Sequence, residues 1–319
     1  MTERRNDPTD VVVPAGRRTA VRMAIAGLVA NIVIVLTGTL VRLTGSGLGC
    51  PTWPRCTDDS FVTTPEMGLH GVVEFANRVV GIAVGLITLL VVIAVLRHRP
   101  RPRPAAALAI GTLALVVAQG FVGGLSVRQE LAPEIVAVHF LASMIIIAGV
   151  TVLVDVLRRP GARLGAPEPQ GIAWLVAALP VVLTAVLVLG TLVTGSGPHA
   201  GDEGARRFGL DPAALSQLHA DAVLVFLALQ IAVLVALRVT GASPAQRRAA
   251  LLLLGASVMQ AAIGYAQYGL GLPVPLVAAH VLGAALLTFA VTHLFVTVWR
   301  DRSARNAGSP PPRRAAGSC

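Results

Sequence analysis

"HGVVEFANRVVGIAVGLITLLVVIAVL" occupies residues 70–96, and its reading decides the fold class. From Val79 to Leu96 it runs 18 residues without a charge. That is the length at which an apolar run reads as a membrane-spanning helix. The first nine positions are different, because His70, Glu74, Asn77 and Arg78 stand where a lipid-facing helix would carry leucine. An ionisable group inside a span costs about 2.5–3.5 kcal/mol on insertion scales, so such a group marks a functional site by default.

The rest of the chain repeats the apolar pattern. It has 319 residues, 55% hydrophobic and only 13% charged, with a mean hydropathy of +0.74. This composition excludes a soluble domain and predicts an all-α integral membrane protein. Eight transmembrane helices are expected at about 23–41, 71–96, 105–127, 134–157, 172–193, 215–237, 249–269 and 275–299. All 26 basic residues are arginine, and 20 of them lie before span one, after span eight or between spans two and three, four and five, and six and seven. The positive-inside rule makes that side, with both termini, cytoplasmic. A multi-pass protein of the cell (plasma) membrane is expected, with the lipid bilayer and not nucleic acid as its surroundings. The first span follows a long polar segment and lacks a small-residue cleavage site, so it reads as an anchor.

An internal repeat divides the chain. "GTLVRLTGSG" (38–47) returns as "GTLVTGSG" (190–197), and "APEIVAVH" (132–139) resembles "LPVPLVAAH" (272–280). Gln119 and Gln260 each stand 20 residues before the closing histidine, His139 or His280, and both pairs share an offset of 141. Four spans separate the copies, which predicts two pseudo-symmetric four-helix bundles related by an axis along the membrane normal. The expected organisation is a cytoplasmic tail (1–22), a first half (23–157), a cytoplasmic linker (158–171), a second half (172–299) and a cytoplasmic tail (300–319).

Four of seven histidines, His70, His139, His219 and His280, fall near the outer ends of the even-numbered spans. A lone membrane histidine is commonly a hydrogen-bond link between helices. Four at matching depth, one per even-numbered span, change that balance, because facing imidazoles in a helical bundle are what axial ligation of a heme iron requires. His98, His199 and His293 have weaker claims. His219 lies 61 residues before His280, and counting back 62 from His139 reaches Asn77, which is read as its first-half counterpart, with His70 seven residues (about 10 Å) further out on the same face. Cys50 and Cys56 lie in the first outer loop, "GCPTWPRC", where the compartment permits a disulfide; the alternative is two free thiols in a tight turn. Cys319 ends the chain and carries no expected role. The Gly-rich segments "TGSGLGCP" and "TGSGPHAGD" read equally as simple turns or as loops capping a bound ligand.

Taken together, "GTLVRLTGSGLGCPTWPRC", "HGVVEFANR", "TLVTGSGPHAGD" and a histidine in each of spans four, six and eight resemble the heme A synthase family, over roughly residues 23–299. The resemblance implies oxidation of the C8 methyl group of heme O to a formyl group, giving heme A for cytochrome c oxidase. It implies a heme b cofactor whose iron is held between His219 and His280. It also implies a first half that receives the substrate heme O, with His139 as an iron ligand and Glu74 as the essential catalytic carboxylate. His70, Asn77 and Arg78 are further candidates around that substrate heme. Heme O synthase and the cytochrome c oxidase assembly machinery are the implied partners, and Cys50 and Cys56 match the family's first-loop pair.

Two features depart from the family pattern. Many members carry E-x-x-H-R in span two, whereas this chain reads Glu74-Phe75-Ala76-Asn77-Arg78, with a poor iron ligand at the histidine position. Some members have a second cysteine pair in the third outer loop, and residues 194–214 contain none. Glu74 has two compatible readings. It could compensate positive charge or take up protons as a methyl is oxidised, or it could form an i,i+4 pair with Arg78. Two other classes stand behind the enzyme. A membrane cytochrome b for electron transfer would use His280 and His293, which lie 13 residues apart on one helix. A transporter would fit the repeat and the buried charges but lacks a midplane charge cluster.

Overall fold

The computed structural model describes residues 15–99, 102–159 and 169–300. Among them are eight long helices: α1 (Ala15–Leu43), α2 (Gly68–Arg97), α3 (Arg103–Arg128), α4 (Pro133–Arg158), α5 (Gln170–Ser196), α6 (Pro212–Val239), α7 (Pro244–Gly269) and α8 (Val274–Arg300). All eight are long and apolar enough to cross a membrane. Each contains one expected span and extends past it, by up to five residues at an end in seven of them and by eight at the start of α1. At 26–30 residues they reach about 40–45 Å, past the hydrocarbon layer of about 30 Å and into the headgroup zone. Most of the terminal tails and of the 158–171 linker, with Arg4, Arg5, Arg101, Arg163, the arginines beyond Arg300 and Cys319, lie outside the described residues.

The helix starts follow local chemistry. Proline stands in the first turn of α3, α4, α6 and α7, where its missing N–H costs nothing. Asp211 caps α6 by accepting from the Ala213 amide, and Ser243 with Gln246 forms a reciprocal capping box on α7. Pro180 sits inside α5, which continues through it, as membrane helices tolerate.

In lipid, helices associate through close packing of small residues and polar links rather than by escaping water. α1 packs on α2 and α4, α2 on α3, and α3 on α4; α5 packs on α6 and α8, α6 on α7, and α7 on α8. Each set of four closes a ring of neighbours. The sets meet along α1, α4, α5 and α8, and α4 is the most buried of all. Leu28, Val35, Met144, Ile147, Val150 and Ala285 form the seam, where Thr288 Oγ1 also approaches Met144 Sδ at 3.4 Å. Fully buried Ala20, Ala24, Ala105 and Ala109 let α1 and α3 approach their neighbours at one end of the first ring.

At the opposite end, the α1–α2 and α5–α6 connections form a roof. Gly47 N–H donates to Gly201 O at 2.8 Å, and Arg42 Nη2 donates to Thr194 O at 2.8 Å. The two Gly-rich segments are thus both turns and a joint cap: Gly45 (φ 66°) and Gly201 (φ 102°) take left-handed backbone, and the segments meet across the two rings at Gly47 and Gly201. Cys50 and Cys56 form a disulfide, both fully buried. Trp53 projects from this connection onto α3, edge-on to Phe121 at 5.8 Å between centroids. It is further held by Arg128, which donates to its carbonyl at 3.1 Å.

Trp53 lies against bare backbone at Gly124, where an added Cβ would overlap the indole. Gly124→Ala is expected to destabilise the protein by about 1–3 kcal/mol, as overpacking does. Gly111→Ala, in the same helix but facing open space, should be neutral or slightly stabilising. Thermal unfolding of the two variants in detergent checks the difference.

Candidate functional site

The second ring brings two sequence-predicted histidines together. His219 of α6 and His280 of α8 face each other with ring centroids 6.4 Å apart and planes at 68°. No other pair of imidazoles is in ring contact among the described residues. His219 Nδ1 lies 3.0 Å from Val186 O of α5. A carbonyl only accepts, so Nδ1 carries the proton and Nε2 keeps its lone pair, the arrangement that fixes a metal-binding tautomer. The backbone carbonyl of His280 accepts from Gln260 Nε2 of α7 at 2.7 Å, and its Nδ1 is buried with no partner among the described residues. Both rings rest on glycine. A Cβ at Gly190 would meet His219 Cε1 at 3.2 Å, and one at Gly264 would meet His280 Cε1 at 3.1 Å.

This geometry fits a heme. Metal–imidazole bonds of about 2 Å on either side, plus the ring radii, require roughly 6 Å between centroids. Two ligands are too few for a bare metal ion, which takes four or more, whereas a macrocycle supplies the remaining four itself. Among the described residues, no group of three or more His, Cys, Asp or Glu could hold a free ion.

In the first ring, the backbone of His139 (α4) accepts from Gln119 Nε2 of α3 at 2.7 Å, as the backbone of His280 does from Gln260. Its Cε1 lies 3.5 Å from where Gly123 would carry a Cβ, and its Nδ1 is buried without a partner among the described residues. Gln119 also donates to Ser143 Oγ at 2.7 Å. Asn77 makes a contact that sequence reasoning missed: Thr37 Oγ1 of α1 donates to Asn77 Oδ1 at 2.8 Å. The only available signal was one hydroxyl in an apolar run.

Glu74 is buried, at 5% exposure. Its Oε1 pairs with Arg78 Nη2 at 2.6 Å, and its Oε2 accepts from Cys50 N at 2.6 Å. Arg78 continues to Cys50 O (3.0 Å), Thr52 O (3.1 Å) and Arg55 O (2.9 Å). The expected i,i+4 pair is present, and it also ties the disulfide-bearing connection to α2. His70 is exposed further out, with Nδ1 3.0 Å from Ser46 Oγ. It lines a pocket of about 610 Å³ shared with Met67, Asp202 and Glu203, and has no ring contact with His139. His293 stacks on Phe289 at 5.8 Å and meets no second imidazole among the described residues, so the pairing a membrane cytochrome b would need at that depth is missing there. His199 Nε2 lies 3.1 Å from Leu272 O, a loop-to-loop link.

The COX15-CtaA family, described as cytochrome oxidase assembly protein, matches residues 21–201, more than half of the chain. The chain belongs to this family. The matched stretch runs from α1 through α5 into the roof; it contains Glu74, Asn77, Arg78 and His139, and stops short of His219 and His280. Among its relatives is a protein named heme A synthase from Alkalihalophilus pseudofirmus, 31% identical over 136 residues, or 41% of this chain and 45% of that protein. Another of that name, from Bacillus mycoides, is 32% identical over 123 residues, covering 38% of this chain and 39% of that protein. The match thus spans less than half the length of these relatives.

Removing the buried carboxylate strands Arg78, whose side chain is only 19% exposed, and leaves the Cys50 amide without its acceptor. Glu74→Ala is therefore expected to cost up to about 3 kcal/mol and to speed proteolytic cutting within residues 50–64, read by mass spectrometry. Glu74→Gln keeps an acceptor for Cys50 and should protect that segment better.

Proposed function

We propose that this chain is a heme A synthase, a membrane oxidoreductase that converts the C8 methyl group of heme O to the formyl group of heme A for cytochrome c oxidase. The observation that carries the reading is the facing pair His219–His280 at 6.4 Å, in a chain whose first five helices match the COX15-CtaA family. The two rings of four helices are read as pseudo-symmetric halves, 23–157 for the substrate and 172–299 for the cofactor. What supports this is the shared pattern of neighbours and the matching Gln119–His139 and Gln260–His280 bonds. Both termini are placed in the cytoplasm and the protein in the cell membrane, on the distribution of arginine.

Residue roles follow from the contacts. His219 and His280 would hold heme b, and that group when bound supplies one-electron redox chemistry. Val186 O holds His219 in the Nε2-ligating tautomer, and Gln260 fixes the backbone of His280. His139 would ligate the iron of the substrate heme O, with Asn77, Arg78 and, at the rim, His70 around it. Glu74 would act at the reacting edge, where a fixed negative charge would compensate positive charge that develops as the methyl is oxidised. Its bonds to Arg78 and Cys50 hold it in one orientation, so no reorganisation is needed during the reaction. The roof over this end is fastened by Arg42, Gly47 and the disulfide. Heme O synthase as the source of substrate and the oxidase assembly machinery as recipient complete the proposal.

Expression in cells that make heme O but lack this activity, followed by pigment extraction, tests the reading: heme A should appear, and its absence with the protein inserted would refute it. Glu74→Gln should retain the low-spin heme yet lower heme A formation at least about 100-fold, the scale of losing a charge-stabilising group. Wild-type output from Glu74→Gln would make the carboxylate purely structural. His219→Ala or His280→Ala should each remove the low-spin heme absorption from a protein that still inserts. An unchanged spectrum in both would overturn the cofactor assignment.

A further inference from the structure

The two rings of helices differ at one polar link on the wall of the site. In the second, His219 reaches directly to the carbonyl of Val186 on α5. Its counterpart in the first is Asn77, 142 residues earlier. The counterpart of Val186 is Ile34, by the same offset of 152 that lays "GTLV" of 38–41 on "GTLV" of 190–193. In the first half a third residue stands between that carbonyl and the side chain. Thr37 Oγ1 donates to Asn77 Oδ1 at 2.8 Å and lies 3.2 Å from Ile34 O. In α5 the position of Thr37 is taken by Leu189, which can offer no such bond. A histidine beside a leucine in one half is matched by an asparagine beside a threonine in the other. The glycines respond accordingly: Gly190 is packed against the His219 ring, while Gly38, its counterpart, faces open space.

This pairing decides what Asn77 can present. The oxygen is the only atom of a carboxamide with a lone pair free to bind a metal, since the nitrogen pair is delocalised. Thr37 holds that oxygen toward α1 through one of its two lone pairs. The amide N–H pair has no partner among the described residues. His70 does not take over the vacated role from where it stands. Its ring is exposed at the rim, held by Ser46, about 10 Å outward along the helix.

We propose that the Thr37–Asn77 pair makes the first-half site a one-ligand heme site: His139 binds the iron, and the opposite face meets the N–H donors of Asn77 instead of a second imidazole. This rests on the heme reading of the two halves given above. It distinguishes substrate from cofactor by ligand count. A heme held through one axial bond can leave after turnover, whereas one held between His219 and His280 stays. Thr37 is then a specificity-determining residue that no motif in the chain announces.

Spin state tests the proposal on the purified, heme-loaded protein, using electron paramagnetic resonance and added imidazole as a probe ligand. The wild type should show a low-spin component from the second half and a high-spin component from the first, and imidazole should convert the latter alone. Asn77→His should make the first-half component low-spin without imidazole and slow heme transfer to apomyoglobin by about tenfold or more. Should Asn77→His not insert, Thr37→Val serves instead: freeing the Asn77 oxygen should shift imidazole affinity at the high-spin site several-fold. A wild type in which both hemes are low-spin, with a high-spin signal created by His70→Ala, would assign the second ligand to His70 and overturn the proposal. So would an Asn77→His protein that stays high-spin, or a Thr37→Val protein with unchanged affinity and spectrum. His139→Ala separates the layers. Loss of one heme upholds the site, so a failure at Asn77 then refutes only this inference; retention of both hemes refutes the site reading, and this inference with it.

Discussion

A helical carbonyl already bonded within its own helix has a second lone pair, and the architecture of both candidate sites depends on its use. Gln260 of α7 spends its amide on His280 O of α8, and Gln119 of α3 does the same for His139 O of α4. In a bilayer no water competes for these groups, so each bond fixes the register of one helix against the next. That register sets the glycines. With it, Gly264 lies beneath the His280 ring and Gly123 beneath His139. A slip of one turn, about 5.4 Å, would bring Gln260 or Tyr268 against the His280 ring and close the space between the imidazoles. The direction of His219 is set by the same device, with Val186 O as acceptor.

The roof extends this logic outward. Arg42 binds Thr194 O, Arg78 binds three loop carbonyls, and Arg207 binds Gly197 O and Pro198 O. Arginine thus serves the irregular backbone that the Gly-rich turns leave unpaired. Glu74 is central here because it joins two requirements. It neutralises Arg78 within the bundle, and it anchors the backbone of Cys50. A carboxylate that fastens the roof and one that assists oxidation beneath it are therefore a single group in a single position.

What the sequence discloses follows from the range of the interactions. Apolar runs longer than 18 residues repeat locally, so all eight helices were legible, and their overrun at the ends reflects caps such as Ser243–Gln246. Glu74–Arg78 was legible because four residues is one helical turn. His139 and His280 were marked as equivalent by the offset they share with Gln119 and Gln260, His219 stood out by its depth at the outer end of an even-numbered span, and the pairing of His219 with His280 was implied by the family resemblance. The function of the two glutamines was not visible, because a backbone acceptor has no sequence signature. Thr37–Asn77, Trp53 on Gly124 and Gly47 on Gly201 were hidden for a related reason. Each joins segments that no periodicity relates, and each is decided by which helix faces which.

An experimental map of the heme-loaded protein, at a resolution that separates side chains, tests whether the second half holds a resident heme between two imidazoles. The expected result is macrocycle density between His219 and His280, with one imidazole nitrogen from each ring at bonding distance from the iron and Val186 O still bonded to His219 Nδ1. A map in which the two rings contact each other directly, or in which heme is bound without either of them, would contradict it.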